Sequence, residues 1–296
     1  MGTKCCTTTI FTIALILFGY RATEAQVDTS RSYSFGDSLT DNEFAYLFFP
    51  PELNLNPAIY GADPFEGMFQ KAAGQNDILM NFAAAGATSA QVLEVVKGYV
   101  AARKADAIPP ATLISLEAGG NDFLTTENIF ALSSAAPGEN VSVDQIVDDI
   151  RKNLMSALQM LRKSDKPQFV LWTVPDVTLI PYVLAFGLSE LQTANLRGHI
   201  MRLNQFIRAQ GNRADIAIHD LASVLLAVSL YPPTVGGIQL DPTPDFGEAN
   251  DIFADPFHPT AVSNALLAND MIEGLNKNFG DDIPYYTESE LADLTD

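Results

Sequence analysis

Four short blocks, far apart in the chain, carry residue types suited to acyl transfer. The first is Phe35-Gly36-Asp37-Ser38-Leu39-Thr40-Asp41 and the second Asn81-Phe82-Ala83-Ala84-Ala85-Gly86. The third is Gly119-Gly120-Asn121-Asp122 and the fourth Asp255-Pro256-Phe257-His258-Pro259-Thr260. Between them they supply a serine hydroxyl, a glycine amide, an asparagine side-chain amide and an aspartate–histidine pair. Attack on an acyl carbon needs a nucleophile, donors for the developing oxyanion, and a base with its orienting carboxylate.

Each block has a chemical and a structural reading. Ser38 follows a candidate strand and a glycine. A tight turn there lifts the hydroxyl to the C-terminal edge of a sheet, where open α/β sheets bind ligands. Taken alone, the same serine suits a helix N-cap. Gly86 permits close backbone approach with a free N–H, or a simple turn. Asn121 could donate to an oxyanion, or make an Asx-turn or helix cap. Asp255 and His258 share a turn stiffened by Pro256 and Pro259, so the carboxylate can reach the imidazole and fix its tautomer. His219 is the rival base because Asp220 follows it, but neighbours in a strand point to opposite faces. His199, beside Arg197 and Arg202 in a helical stretch, reads as a surface or internally satisfied residue.

The elements that must hold these blocks alternate. Short apolar-leaning runs at residues 31–35, 78–82, 112–117, 169–174 and 214–219 read as strands, several apolar throughout, as strands covered on both faces are. Helical patterns run over 91–103, 188–209 and 259–276. Val143, Ile146, Val147, Ile150, Leu154, Leu158 and Leu161 form a longer stripe, with Ser142 and Gln145 spaced as a capping box. Strand–helix alternation predicts an α/β fold, a mostly parallel sheet with helices on both faces. Residues 48–76 and 231–254, rich in proline and glycine, are expected as long loops walling a substrate site. Phe44, Tyr46, Phe48 and Phe49 are candidates for an acyl site or for core packing. Residues 281–296 carry six acids and no base and are expected as a solvated, mobile tail.

The four blocks, in this order, resemble those of the GDSL family of esterases and lipases, the SGNH hydrolases. The segment from Val174 to Pro181 is also similar to one found in many members. The resemblance spans roughly residues 31 to 280. It implies a three-layer α/β/α sandwich with a flavodoxin-like five-stranded sheet. It implies Ser38, Asp255 and His258 as catalytic residues, with Ser38, Gly86 and Asn121 forming the oxyanion hole, and no metal or organic cofactor. The first block departs from many relatives after Asp41-Asn42, where Glu43-Phe44 replaces an Asn-Gly continuation. The G-x-S-x-G elbow of the larger α/β-hydrolases does not occur.

The remaining composition sets the context. Lys4, an apolar stretch at 10–18 and the small residues around Ala25 read as a secretory signal over 1–25, far short of the ~20 residues that span a bilayer. Both cysteines, Cys5 and Cys6, lie inside it, so the expected catalytic domain, 26–280, has no disulfide. The formal net charge is −19; the signal carries Lys4, Arg21 and Glu24, leaving −20 for the rest. Such a chain is expected to repel nucleic acid and anionic membranes. Asn140-Val141-Ser142 is a glycosylation sequon, relevant in a eukaryotic secretory pathway. The sequence therefore predicts a secreted serine esterase acting on a small-molecule or polymer-borne ester, without membrane insertion. A carbohydrate O-acetyl esterase on the same fold is the alternative. A non-catalytic carbohydrate- or lipid-binding protein is the alternative of another class, though degenerate members usually lose the serine or histidine present here.

Overall fold

The computed structural model describes residues 26–41, 60–243, 246 and 248–295. Five strands, β1 (Arg31–Phe35), β2 (Ile78–Asn81), β3 (Leu113–Leu116), β4 (Gln168–Trp172) and β5 (Ile216–His219), form a parallel sheet in the order 2-1-3-4-5. Each overlaps a window expected from the sequence; β1 matches at both ends, and the others differ by at most two residues at an end. A two-stranded antiparallel ribbon, β6 (Thr234–Val235) and β7 (Ile238–Gln239), lies apart.

The helices in chain order are α1 (Pro64–Ala72), α2 (Ser89–Lys104), α3 (Gly120–Leu124), α4 (Thr126–Ser134), α5 (Val141–Asp165), α6 (Pro181–Leu184), α7 (Glu190–Gln210), α8 (Leu221–Leu230), α9 (Ala261–Phe279) and α10 (Glu288–Ala292). Side chains alternate across the sheet. Tyr33, Phe35, Ile114, Leu116, Phe169 and Leu171 pack into one cluster with α2, α4, α5 and α7. Leu113, Val170, Trp172 and Ala217 pack into the other with α1, α8 and α9. This is the three-layer flavodoxin-like α/β sandwich. The central β3 is buried at every position, whereas the edge strand β2 is only partly covered, Met80 packing on one cluster and Leu79 on the other.

Four details differ from expectation. Within the proline-rich stretch, Pro64–Ala72 is a helix: Asp63 caps it, accepting from the Phe65 and Glu66 amides, and Pro64 takes the first-turn position where its missing N–H costs nothing. The long helix α5 starts earlier and is capped by Asn140, whose Oδ1 accepts from Ser142 and Val143, so the Ser142–Gln145 box does not form. The Leu221–Leu230 helix lacks a polar face, so periodicity gave no signal for it. The acidic tail is packed rather than solvated: Ile283 and Leu291 are buried, and Lys71 lies 2.5 Å from Glu290 and over the Tyr286 ring. Among the described residues no helix is long and apolar enough to cross a membrane. The signal region and Phe44, Tyr46, Phe48 and Phe49 lie outside the described residues.

Candidate functional site

The four blocks meet at the C-terminal edge of the sheet. Ser38 sits in the turn that leaves β1, closed by the Thr40 N–H donating to Asp37 O at 3.2 Å. Its structural alternative, a helix N-cap, is not what the turn makes of it. His258 reaches it from across the chain, Nε2 lying 2.8 Å from Ser38 Oγ. On the other side of the ring, Nδ1 lies 2.6 Å from Asp255 Oδ2. A tight loop holds this pair: the Ala254 amide donates to His258 O, and the Thr260 amide to Ile252 O. Asp255 Oδ1 accepts from the Phe257 and His258 amides at 2.6 and 2.9 Å. The three-residue spacing thus lets one carboxylate grip its own loop and the imidazole together.

Burial by itself pushes the Asp255 carboxyl up. The His258 hydrogen bond and charge, with the two loop amides, outweigh it and hold Asp255 below its ordinary range. It is therefore a carboxylate at neutral pH. A residue that the sequence did not flag completes its shell: Tyr60 OH donates to Asp255 Oδ2 at 3.1 Å. Tyr60 is fixed in turn by Asn264 of α9, whose amide donates to the Tyr60 carbonyl at 2.9 Å. Nothing local announces a partner 195 residues away.

The second block turns between Ala84 and Ala87, and Gly86 has φ +76°. That angle favours glycine. The Ser38 and Gly86 N–H groups have no acceptor among the described residues and both residues line the same cavity. Asn121 opens α3 beside them. Its Nδ2 donates to Asp37 Oδ2 at 2.8 Å and to Ala87 O at 3.2 Å, tying the third block to the first two. The blocks are stitched further by Asn81 Nδ2 donating to Thr40 O and the Ala85 amide to Asp41 Oδ2.

A second acidic residue, also unforeseen, underlies Ser38. Glu117, at the end of β3, accepts the Asp37 N–H on Oε2 at 2.9 Å and is 1% exposed. Its place directly after a strand and before Gly119-Gly120 was the only available signal.

The other histidines are spent elsewhere. His219 is buried with Nδ1 2.8 Å from Asp270, not Asp220, and its ring meets Trp172 edge-on. Asp220 pairs with Arg208. His199 is buried, with Nε2 3.0 Å from Ala135 O.

Ser38 and His258 open into a cavity of about 360 Å³. Apart from the site residues its walls are mostly apolar: Leu39, Leu124, Trp172 and Pro175, then Leu221, Val224, Leu225 and Val228 of α8 and Leu266 and Leu267 of α9. Pro64, Ile252 and Phe253, from the two segments expected to wall a site, contribute as well.

A parallel 2-1-3-4-5 sheet with a Ser–His–Asp relay at its C-terminal edge defines a hydrolase-type α/β sandwich. The chain belongs to the GDSL-like Lipase/Acylhydrolase family, matched over residues 34–266, a span that contains all four blocks. It is 24% identical over 197 residues to a GDSL esterase/lipase of Arabidopsis thaliana, covering 57% of this chain and 51% of that one. It is also 24% identical over 241 residues to the thermolabile hemolysin of Vibrio parahaemolyticus, covering 69% and 53%. The chain thus spans about half the length of these curated relatives. Among solved structures, the lipase Lip_vut3 from goat rumen metagenome superposes with a TM-score of 0.54 at 17% identity, covering 83% of this chain and 97% of that one. That likeness concerns the fold.

Proposed function

We propose that the protein is a secreted serine esterase that hydrolyses carboxylic esters whose acyl chain is longer than acetyl. The observation that carries the reading is the continuous relay from Asp255 through His258 to Ser38, with distances of 2.6 and 2.8 Å, opening onto an apolar cavity. Ser38 Oγ attacks the ester carbonyl while His258 Nε2 takes its proton. Asp255 holds the imidazole and stabilises its protonated form. The carbonyl oxygen, now negative, accepts from the Ser38 and Gly86 amides. Asn121 joins them by releasing its longer bond, to Ala87 O. His258 then gives the proton to the departing alcohol oxygen, leaving an acyl group on Ser38. Water, deprotonated by His258, releases the acid and restores the serine.

The cavity walls support an acyl chain rather than a sugar, because they present few polar groups to hydroxyls. Secretion is supported by the basic, apolar and small-residue pattern of the first 25 residues. The test is hydrolysis of p-nitrophenyl esters by wild type and Ser38→Ala. The expected loss in kcat is roughly 10⁴-fold or more, as for nucleophile removal in other serine hydrolases. A folded Ser38→Ala protein that keeps full activity refutes the reading.

A further inference from the structure

We propose that Glu117 is a positioning residue of this site: it fixes Asp37, and through Asp37 both the Ser38 turn and the Asn121 amide. The inference rests on the esterase reading above. Two carboxyl side chains, Asp37 at 2% exposure and Glu117 at 1%, meet beneath the serine, and among the described residues no ion pair reaches either. Glu117 Oε2 grips the backbone N–H of the residue before Ser38. Asp37 Oδ1 accepts the N–H of the residue after it, Leu39, at 3.0 Å. Asp37 Oδ2 accepts the Asn121 amide. The nucleophile is thus bracketed on both sides by one acid pair, and that pair also aims a candidate oxyanion donor.

The glycines of the first and third blocks make room for the pair. A Cβ on Gly36 would stand 2.8 Å from Glu117 Oε2, and one on Gly120 3.3 Å from Asp37 Oδ2. Two adjacent buried carboxyls cannot both carry charge cheaply. Burial, then the charge of Asp37, pushes Glu117 well above its ordinary range. Burial also raises Asp37, but the Leu39 N–H, the Glu117 hydrogen bond, the His258 charge and the Asn121 amide oppose it. The proton therefore sits on Glu117 and the negative charge on Asp37. No donor among the described residues reaches Glu117 Oε1, which suits a neutral acid. The ionisable groups facing Glu117 are Asp37 from the β1 turn and Asp122 from α3, with His258 acting on it through Asp37.

Losing the Glu117 proton as pH rises sets two charges side by side and slackens the grip on Ser38 and Asn121. That lowers kcat and leaves substrate binding in the cavity largely untouched. Glu117→Gln keeps an acceptor for the Asp37 amide and a donor for its carboxylate, but does not titrate. Glu117→Leu removes both. The experiment measures kcat and KM of wild type, Glu117→Gln and Glu117→Leu on one p-nitrophenyl ester from pH 6 to pH 10, with a thermal melt of each. Glu117→Gln should stay within about threefold of wild type at pH 7 and lose the fall in kcat with rising pH. Glu117→Leu should lose about tenfold or more in kcat with KM within about threefold, as misplacement of reacting groups does. A fall with rising pH unchanged in Glu117→Gln overturns the proposal, as does wild-type kcat in folded Glu117→Leu. Absence of turnover by wild type on any ester overturns the esterase reading itself, and the positioning role with it.

Discussion

Lengthening the acyl chain should raise kcat/KM, and crowding the cavity should take back part of the gain. At ~30 Å³ per water-sized group, the 360 Å³ cavity holds about twelve such groups. An octanoyl chain fits, with six more methylenes than acetyl. Full burial of each contributes ~0.8 kcal/mol, a ceiling of ~5 kcal/mol. One wall is α8, whose Val224, Leu225 and Val228 are only half-buried, so part of the chain stays in contact with solvent. Taking about half the ceiling gives ~2.5 kcal/mol, or roughly 70-fold in kcat/KM from acetate to octanoate. Val224→Trp places an indole against the α8 wall. At the same half-burial, removing room for about three methylenes costs octanoate ~1.2 kcal/mol, roughly sevenfold, while acetate should change less than about threefold. The assay is a p-nitrophenyl series from acetate to octanoate for both proteins, below the critical micelle concentration of each ester. A flat or falling series for wild type refutes the acyl role of the cavity. So does an equal loss on every ester in Val224→Trp.

Two further predictions follow from the electrostatics. Asp255→Asn preserves the loop's shape but forfeits the carboxylate that orients His258, so kcat should fall ~10⁴-fold with KM little changed; steady-state kinetics beside a thermal melt will check it, and a loss under tenfold contradicts the relay. Asp63 caps α1 while fully buried, and burial pushes its carboxyl up to about 7. A raised carboxyl favours the fold fully below its unfolded value of 3.8 and loses that contribution as pH climbs through 7. The rise from 3.8 to about 7 corresponds to about 4 kcal/mol. Wild type should therefore become easier to unfold in urea between pH 5 and pH 8, and Asp63→Asn, which keeps the cap, should flatten that slope. Parallel pH curves for the two proteins contradict the assignment.

The legible parts of the site were those fixed over a few residues. The Asp255–His258 contact closes within one turn, so its spacing, together with the family resemblance, favoured His258 over His219. Strands β3 and β4 were legible because burial on both faces demands near-continuous apolar runs, and the glycines of the first three blocks marked where β1, β2 and β3 leave the sheet. Helix α1 was hidden because Pro64 and the prolines before it read as loop, although Pro64 occupies the one turn of a helix that tolerates it. Leu221–Leu230 was hidden because most of its exposed positions, Leu226, Ala227 and Leu230, are themselves apolar, so no polar stripe reveals the helix. The acidic tail misled for a related reason: its charge count outweighed Ile283 and Leu291, whose partners lie on distant elements.

By itself the sequence determined which chemistry was available: one serine after a strand, one histidine with a carboxylate in reach along its own turn, and the alternation that makes a parallel sheet. These follow from contacts whose geometry the local backbone dictates. Tertiary structure alone decided which distant groups meet. It gave His219 to Asp270 rather than to its neighbour Asp220, brought Tyr60 onto Asp255, and set Glu117 under Asp37. It also shaped the apolar cavity from α8, α9 and the first strand turn. Packing of nonlocal surfaces selects these contacts, and no spacing along the chain encodes them.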